Sequence, residues 1–548
     1  MRPFPRSIVC LLFVLACFAG VIPGITIPAS ASAYNSHPKL VVVIVIDQFR
    51  GDYLERYRDQ FGDGGFRLFL DHGAYFTDCN FDYANTRTGP GHSTLFTGAY
   101  TDGHGFLAND YWDFKNKRAV PFVEDDKTKL LGVPGDKVGA SPHHLMADTL
   151  GDELKLATQG RAHVFGISLK DRAAVLPAGY AGDAAYWIEP KSGLWVTSTY
   201  YRSDLPKWVQ DFNSSNRAAK YWDRDWKDAQ GNLLRSTAHR KEKDGSDAGF
   251  YEVIGSTPIG NEYELEFAKE LVVYENLGSG PVTDLLAISL SPNDILGHQG
   301  GPDASEMKTM ALALDRELAD FFNFLGHQIG LANVWIALSA DHGISALPEA
   351  AKAMRIPAAS MDGANLDGQI NTALAAKFSP GHPAVYVKME YPMAWLNEEA
   401  FAAVQVKERD AETAAGEAMK RAGLRDYYTK WQLAEGAVPN TALGRKYLNS
   451  YSQEGGWWVM GVPDPYTIGP ARGADHTSPY TYDTHVPLAF YGLPFQTGVY
   501  RTHAEPVDLA PTIASLLGIN APTHSRGRVL TEAVAPQHSA VNSKESQR

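Results

Sequence analysis

The chain has little cysteine. Three occur in 548 residues, and two of them, Cys10 and Cys17, fall in the first 33. Without that segment Cys79 stands alone, so a disulfide framework within the chain is excluded and stability must come from a large core. A lone Cys79 reads as a small buried hydrophobe. Basic residues are also in deficit: 50 Lys and Arg face 63 Asp and Glu, a formal charge of −13. That balance argues against nucleic-acid binding as the main role. It does not exclude an anionic substrate, because bound metals invert the local field of an acidic protein. Beyond the N-terminal region no apolar run is long enough to span a bilayer, and there is no internal repeat.

What is present begins with a leader. Arg2 and Arg6 precede an apolar stretch from Ile8 to Val21, and Ala31-Ser32-Ala33 supplies a small-residue cleavage site. Residues 1–33 therefore read as a signal peptide cut near Ala33, and the mature protein as exported, to the periplasm or the medium. Loss of Arg2 and Arg6 makes the mature chain more acidic still. The remaining composition, 44% hydrophobic and 21% charged, is that of a soluble globular protein.

Strand-like runs at Lys39–Ile46, Leu285–Leu290, Val334–Leu338 and Val486–Tyr491 alternate with helical patterns. Asp303 and Glu306 form a capping box ahead of Met307–Leu325. Pro506–Leu517 is apolar-periodic and closed by Gly518. The alternation predicts an α/β fold with a mostly parallel central sheet and helices on both faces. Segments near 111–136, 185–261 (rich in tryptophan) and 345–470 depart from it and read as inserted cap elements. The boundaries expected are a catalytic domain over 34–535 and a polar, disordered tail over 536–548.

Metal-ligand residue types cluster after the strand-like runs, where open α/β sheets bind ligands. Asp47 follows the first. Asp294 and His298 follow the second, four apart, a spacing that presents both to one point on a helix and suits zinc. Asp341 and His342 follow the third; both reach one site only at a bend, which Gly343 would supply. His476 lies downstream in GADHTSP. Thr88 precedes a helix start, an anion-binding position, and on local sequence it reads equally as a helix cap. Asn109 could donate to a phosphate oxygen. Lys170 and Arg172 place two cations together, as in a phosphate grip or a solvated turn.

In order and spacing, VIVIDQFRGDYL, TRTGPGHSTLFTG, HGFLANDYW, SLKDRAAVLPAG, SPNDILGH, SADHG and DHTSPYTYDTHVP resemble the phosphate-irrepressible bacterial alkaline phosphatases. Those belong to the alkaline phosphatase superfamily, together with the nucleotide pyrophosphatase/phosphodiesterases. The resemblance runs from about Lys39 to Leu530. It implies an alkaline-phosphatase-like fold and hydrolysis of small phosphate monoesters through a phosphothreonine at Thr88. It implies two Zn2+ per chain, one held by Asp294, His298 and His476, the other by Asp47, Asp341 and His342 with the Thr88 oxygen. Asn109, Lys170 and Arg172 would hold the phosphate oxygens, the Lys/Arg pair marking the monoesterase branch. His485 is the rival of His476; His92 and His104 are left to helix architecture. The competing reading is a phosphodiesterase or nucleotide pyrophosphatase on the same scaffold. A sulfatase is disfavoured because no C-x-P-x-R or S-x-P-x-R motif occurs. No obligate protein partner is expected.

Overall fold

All seven residues of Leu40–Ile46 are buried, because this nearly continuous Val/Ile run is covered on both faces. It is β1 of an eleven-stranded sheet. The computed structural model describes residues 37–238, 241–382, 384–469 and 473–535. The expected signal peptide and the expected tail lie outside them. Residues 37–535 form one compact unit.

The other strands of the sheet are β2 (Ala74–Phe76), β3 (Glu124–Leu131), β4 (Val138–Ala140), β5 (Val164–Ser168), β6 (Ala184–Ile188), β7 (Trp195–Ser198), β8 (Asp284–Leu290), β9 (Val334–Ser339), β10 (Leu488–Tyr491) and β11 (Gly498–Tyr500). Their spatial order is β11-β2-β10-β9-β1-β8-β5-β6-β7-β3-β4. The centre, β9-β1-β8-β5-β6, is parallel throughout. The parallel expectation therefore holds where ligands would gather. The flanks differ: β10 runs antiparallel to β9 and β2, and β7, β3 and β4 form an antiparallel edge. The segments read as insertions at 111–136 and 185–261 contribute β3, most of β6, and β7 to this sheet. Residues 345–470 hold a second, four-stranded antiparallel sheet (Val387–Glu390, Met393–Leu396, Trp458–Val462, Asp426–Thr429). It packs with helices Gly363–Phe378 and Glu408–Arg421 around Ile370, Met419 and Val459.

Helices cover both faces of the main sheet. The main ones are α1 (Thr88–Thr97), α2 (Asp171–Ala178), α3 (Pro258–Tyr274), α4 (Pro292–Gly300), α5 (Ser305–Gln328) and α6 (Leu509–Leu517). At Gly166 of β5 a Cβ would lie 2.1 Å from the Ala174 carbonyl oxygen, so α2 rides directly on that face. Side chains alternate along a strand. On the opposite face Tyr186, in register with Ile167, meets Phe267 of α3 at 5.5 Å. The expected capping box of α5 does not form. The N-cap is Ala304, without a side-chain cap, and Asp303 instead pairs with Arg56 at 2.8 Å. Cys79 is fully buried. Among the described residues no helix is long and apolar enough to cross a membrane.

Candidate active site

The carboxyl edge of the parallel centre gathers the acidic and histidine side chains. Asp47 leaves β1 with its N–H on the Leu290 carbonyl at 3.1 Å. Asp294 sits in the first turn of α4 and His298 one turn later. Asp341 and His342 follow β9. Ligand atoms of Asp47, Asp341 and His342 all lie within 4.8 Å of one another, as do those of Asp294, His342 and His476, and those of His298, Asp475 and His476. The sets share His342 and His476, whose rings stack at 3.8 Å, so they form one continuous cluster. Within it Asp294 Oδ1 is 3.1 Å from His298 Nε2 and 4.0 Å from His476 Nε2.

Gly343 works differently from the expected bend. It has no left-handed φ; instead its missing side chain admits the Tyr482 carbonyl, which would lie 2.3 Å from a Cβ. The chain at 482–483 is thereby stitched to residues 343–344 by two backbone bonds, at 2.7 and 2.9 Å.

Each histidine of the cluster is oriented by a backbone carbonyl. Nδ1 of His298 bonds the Ala474 oxygen at 2.9 Å, Nδ1 of His342 the Gly343 oxygen at 2.9 Å, and Nδ1 of His476 the Thr86 oxygen at 2.6 Å. A carbonyl only accepts, so Nδ1 carries a proton in each ring and Nε2 is the atom turned toward the cluster. Burial lowers the proton affinity of His342 and His476, which keeps these imidazoles in the neutral, ligating form. His298 is opposite in sign. Burial pulls it down, but Asp294 outweighs that and lifts it to about 9.

Three buried carboxylates face one ammonium. Lys170 Nζ lies 2.6 Å from Asp47 Oδ2 and 2.6 Å from Asp294 Oδ2. Burial pushes the Asp47 carboxyl well up, reinforced by Asp294 and Asp341. Burial acts the same way on Asp294, yet Lys170 and then His298 prevail and hold it well below the ordinary range. Charge is still short at the other end. Asp47 Oδ1, Asp341 Oδ2 and His342 Nε2 are buried with no hydrogen-bond partner, although bare buried acceptors are costly. These atoms belong to the three residues of one convergent set. A divalent cation would satisfy them together, and mixed carboxylate and imidazole donors suit zinc.

Thr88 is the first residue of α1 and is buried. It caps nothing: the N-cap is Arg87, with no side-chain bond to the helix. Its neighbours tie it to the whole cluster. Thr86, two residues before it, takes the His476 bond. His92, one turn later, sits 2.9 Å from the Thr88 carbonyl and 3.3 Å from Asp341 Oδ2 through the same Nδ1. Asn109 Oδ1 accepts the N–H of Gly89, the residue after Thr88, at 2.8 Å. Lys170 is the N-cap of α2 and Arg172 lies in its first turn. Arg172 Nε is buried without a partner, and its charge acts on Asp110, next to Asn109, against the upward push of burial. Arg87 anchors the 345–470 region here. It pairs with the Glu390 carboxylate and donates to the carbonyls of Glu390 and Tyr391 at 3.1 and 3.2 Å.

His485 lies elsewhere, with Nε2 on the Thr77 carbonyl at 3.1 Å and its ring against Gly51. His104 is fully buried, and burial lowers it to about 3. Sequence reasoning missed Asp475 and Gln48. Asp475 carried a signal, being adjacent to His476. Gln48 carried none, since its role depends on a left-handed backbone with φ 63°.

A family model for type I phosphodiesterase / nucleotide pyrophosphatase matches residues 41–447. A Myroides odoratus protein named calcium-transporting ATPase is 34% identical over 92% of this chain and 96% of its own length. Alkaline phosphatase PhoV of Synechococcus elongatus is 32% identical over 91% of this chain and 93% of its own. A crystal structure of alkaline phosphatase PafA, a name borne by an Elizabethkingia meningoseptica relative, superposes with a TM-score of 0.81 at 30% identity, covering 91% of this chain and 99% of that one. PafA was also solved with a threonine, an asparagine, a lysine and an arginine substituted.

Proposed function

The chain belongs to the type I phosphodiesterase / nucleotide pyrophosphatase family, within the alkaline phosphatase superfamily, and from that premise we propose that it is an alkaline phosphatase: a phosphoric monoester hydrolase using two zinc ions and a threonine nucleophile. The observation that carries the proposal is the double Asp/His cluster beside Thr88, with the Nε2 atoms of His298, His342 and His476 turned inward by carbonyl bonds. Asp47, Asp341 and His342, with the Thr88 oxygen, would hold one ion; Asp294, His298 and His476 would hold the other. Bound there, zinc supplies Lewis-acid charge that eases deprotonation of a hydroxyl or a water and offsets the charge of the phosphate.

The rest is the work of the chain itself. Thr88 stands at the N-terminus of α1, where the positive end of the helix dipole favours an alkoxide. Its oxygen attacks phosphorus in line, the alcohol departs, and water then cleaves the phosphothreonine to release inorganic phosphate. Asn109, held by its own oxygen, directs its NH2 to a non-bridging phosphate oxygen. Lys170 and Arg172 bring two positive charges, matched to the dianion of a monoester and in excess for a diester. The four residue types substituted in PafA are those assigned here to Thr88, Asn109, Lys170 and Arg172. Export rests on the sequence of residues 1–33.

The test is turnover of p-nitrophenyl phosphate, its bis ester and ATP by purified protein, with and without chelator. Preference for the monoester, loss on chelation and recovery with zinc are expected. Preference for the bis ester would replace this reading by a phosphodiesterase.

A further inference from the structure

A cavity of about 420 Å³ opens along the same carboxyl edge of the sheet, one strand beyond the cluster. The cluster lies over the ends of β9, β1 and β8. Lys170 stands just past the end of β5, and the cavity continues over β5 and β6, where Ile188 is the last strand residue. Its walls are Leu169, Ile188, Tyr251, Ile254, Tyr263 and Ile295, with Lys170 in the wall shared with the site. Ile295 directly follows Asp294 on α4. The side chains of Leu169, Ile188, Tyr251 and Ile295 are half-buried, so they present apolar surface to the cavity instead of filling it. Gly193 fixes the lip. Its φ is 65°, and a Cβ there would lie 2.0 Å from the Tyr251 ring, so that ring rests on the bare backbone. Lys191 and Glu252 stand at the rim.

Lys170 links the two compartments. Its ammonium is bound to Asp47 and Asp294, and long lysine stems lie along apolar surface while the charged head is held elsewhere. Small-molecule sites have this build, an apolar cleft of a few hundred Å³ with a few placed polar groups at one end. We propose that this cavity is the leaving-group subsite and takes the apolar part of monoesters of hydrophobic alcohols, alkyl or aryl, whose phosphate is held at Thr88 and Lys170. The proposal rests on the phosphatase reading and adds a substrate class to it.

Alkyl phosphates from ethyl to octyl test it, because the departing alcohols differ in length and hardly in acidity. The expected result is a rise in kcat/KM with chain length, up to about threefold to fourfold per methylene at full burial, levelling off once the cavity is filled. Ala248→Phe, at a half-buried lining position, should abolish the rise and leave ethyl phosphate turnover as in wild type. Tyr251→Ser, which removes the aromatic lip, should weaken the rise and guards against misfolding of the first variant. A flat series in wild type, or a rise retained in both variants, overturns the subsite and leaves the phosphatase intact. No turnover of any monoester, with zinc bound, overturns both readings.

Discussion

Gln48 Nε2 donates to Asp294 Oδ1 at 2.6 Å. The backbone N–H of the same residue donates to Asp341 Oδ1 at 3.0 Å. One residue thus holds a carboxylate from each half of the cluster, and it does so only because its backbone is left-handed, at φ 63°. A non-glycine residue in that region costs about 1–2 kcal/mol. Such strain persists where the surroundings over-determine it.

Gln48→Gly separates the two contributions. Glycine relieves the backbone, keeps the N–H bond to Asp341 and deletes the amide on Asp294. In the metal-free variant the relieved strain is offset by the lost bond to a buried carboxylate, so its melting temperature should stay within a few degrees of wild type. Its zinc affinity, measured by chelator competition, should fall by roughly 10–100-fold, as for the loss of other groups that orient metal ligands. Wild-type affinity would show that the amide merely fills space.

Thr88→Ala should lower kcat for p-nitrophenyl phosphate by roughly 10⁴-fold or more, the scale seen when a covalent nucleophile is removed. Zinc content by elemental analysis should change little, because three side chains of each cage remain. Thr88→Ser should retain measurable turnover and form a phosphoserine detectable by mass spectrometry after acid quench. Equal activity in Thr88→Ala and wild type would remove Thr88 from the chemistry.

How much of this was legible in the sequence depends on the range of the interaction. β1, β8 and β9 were readable because doubly buried strands are unbroken apolar runs, and the ligands follow each directly. The i, i+4 pairing of Asp294 and His298 was readable because helix geometry is local. The antiparallel flanks were not. The segments that form β3 and β7 mix polar with apolar residues, and β3 joins the sheet only by pairing with β7, far along the chain. The capping box at Asp303 failed for the same reason: Arg56, far off in sequence, outcompetes the local N–H groups. The carbonyl bonds that orient the histidines come from Thr86, Ala474 and Gly343, and nothing in those residue types announces the role.

Lys170→Ala should discriminate between substrates. The monoester should lose on the order of 10²–10³ in kcat/KM, the usual effect of deleting one electrostatic contact to a transition state. The bis ester, with one negative charge fewer, should lose less than about tenfold. Zinc retention should match or exceed wild type, since the ammonium at 2.6 Å from Asp47 and Asp294 competes with any cation there. Equal losses on the two substrates would mean that Lys170 supports the ligands and does not read the phosphate charge.

Glu317, on α5, is remote from this chemistry and still sets a limit at alkaline pH. Its Oε2 is buried without a partner. Burial, reinforced by Glu262, lifts its carboxyl to about 8. The folded protein therefore keeps a proton that the unfolded chain releases in the ordinary glutamate range. The stability tied to that proton is complete below about pH 4.5, declines as the pH rises toward 8 and is gone above it. Glu317→Gln keeps the shape and never ionises. Its melting temperature should exceed that of wild type by roughly 1–3 °C near pH 9 and equal it near pH 5, in scans at matched zinc. An equal gain at both values would assign the effect to packing, and no gain at the higher value would mean that Glu317 ionises freely in the fold.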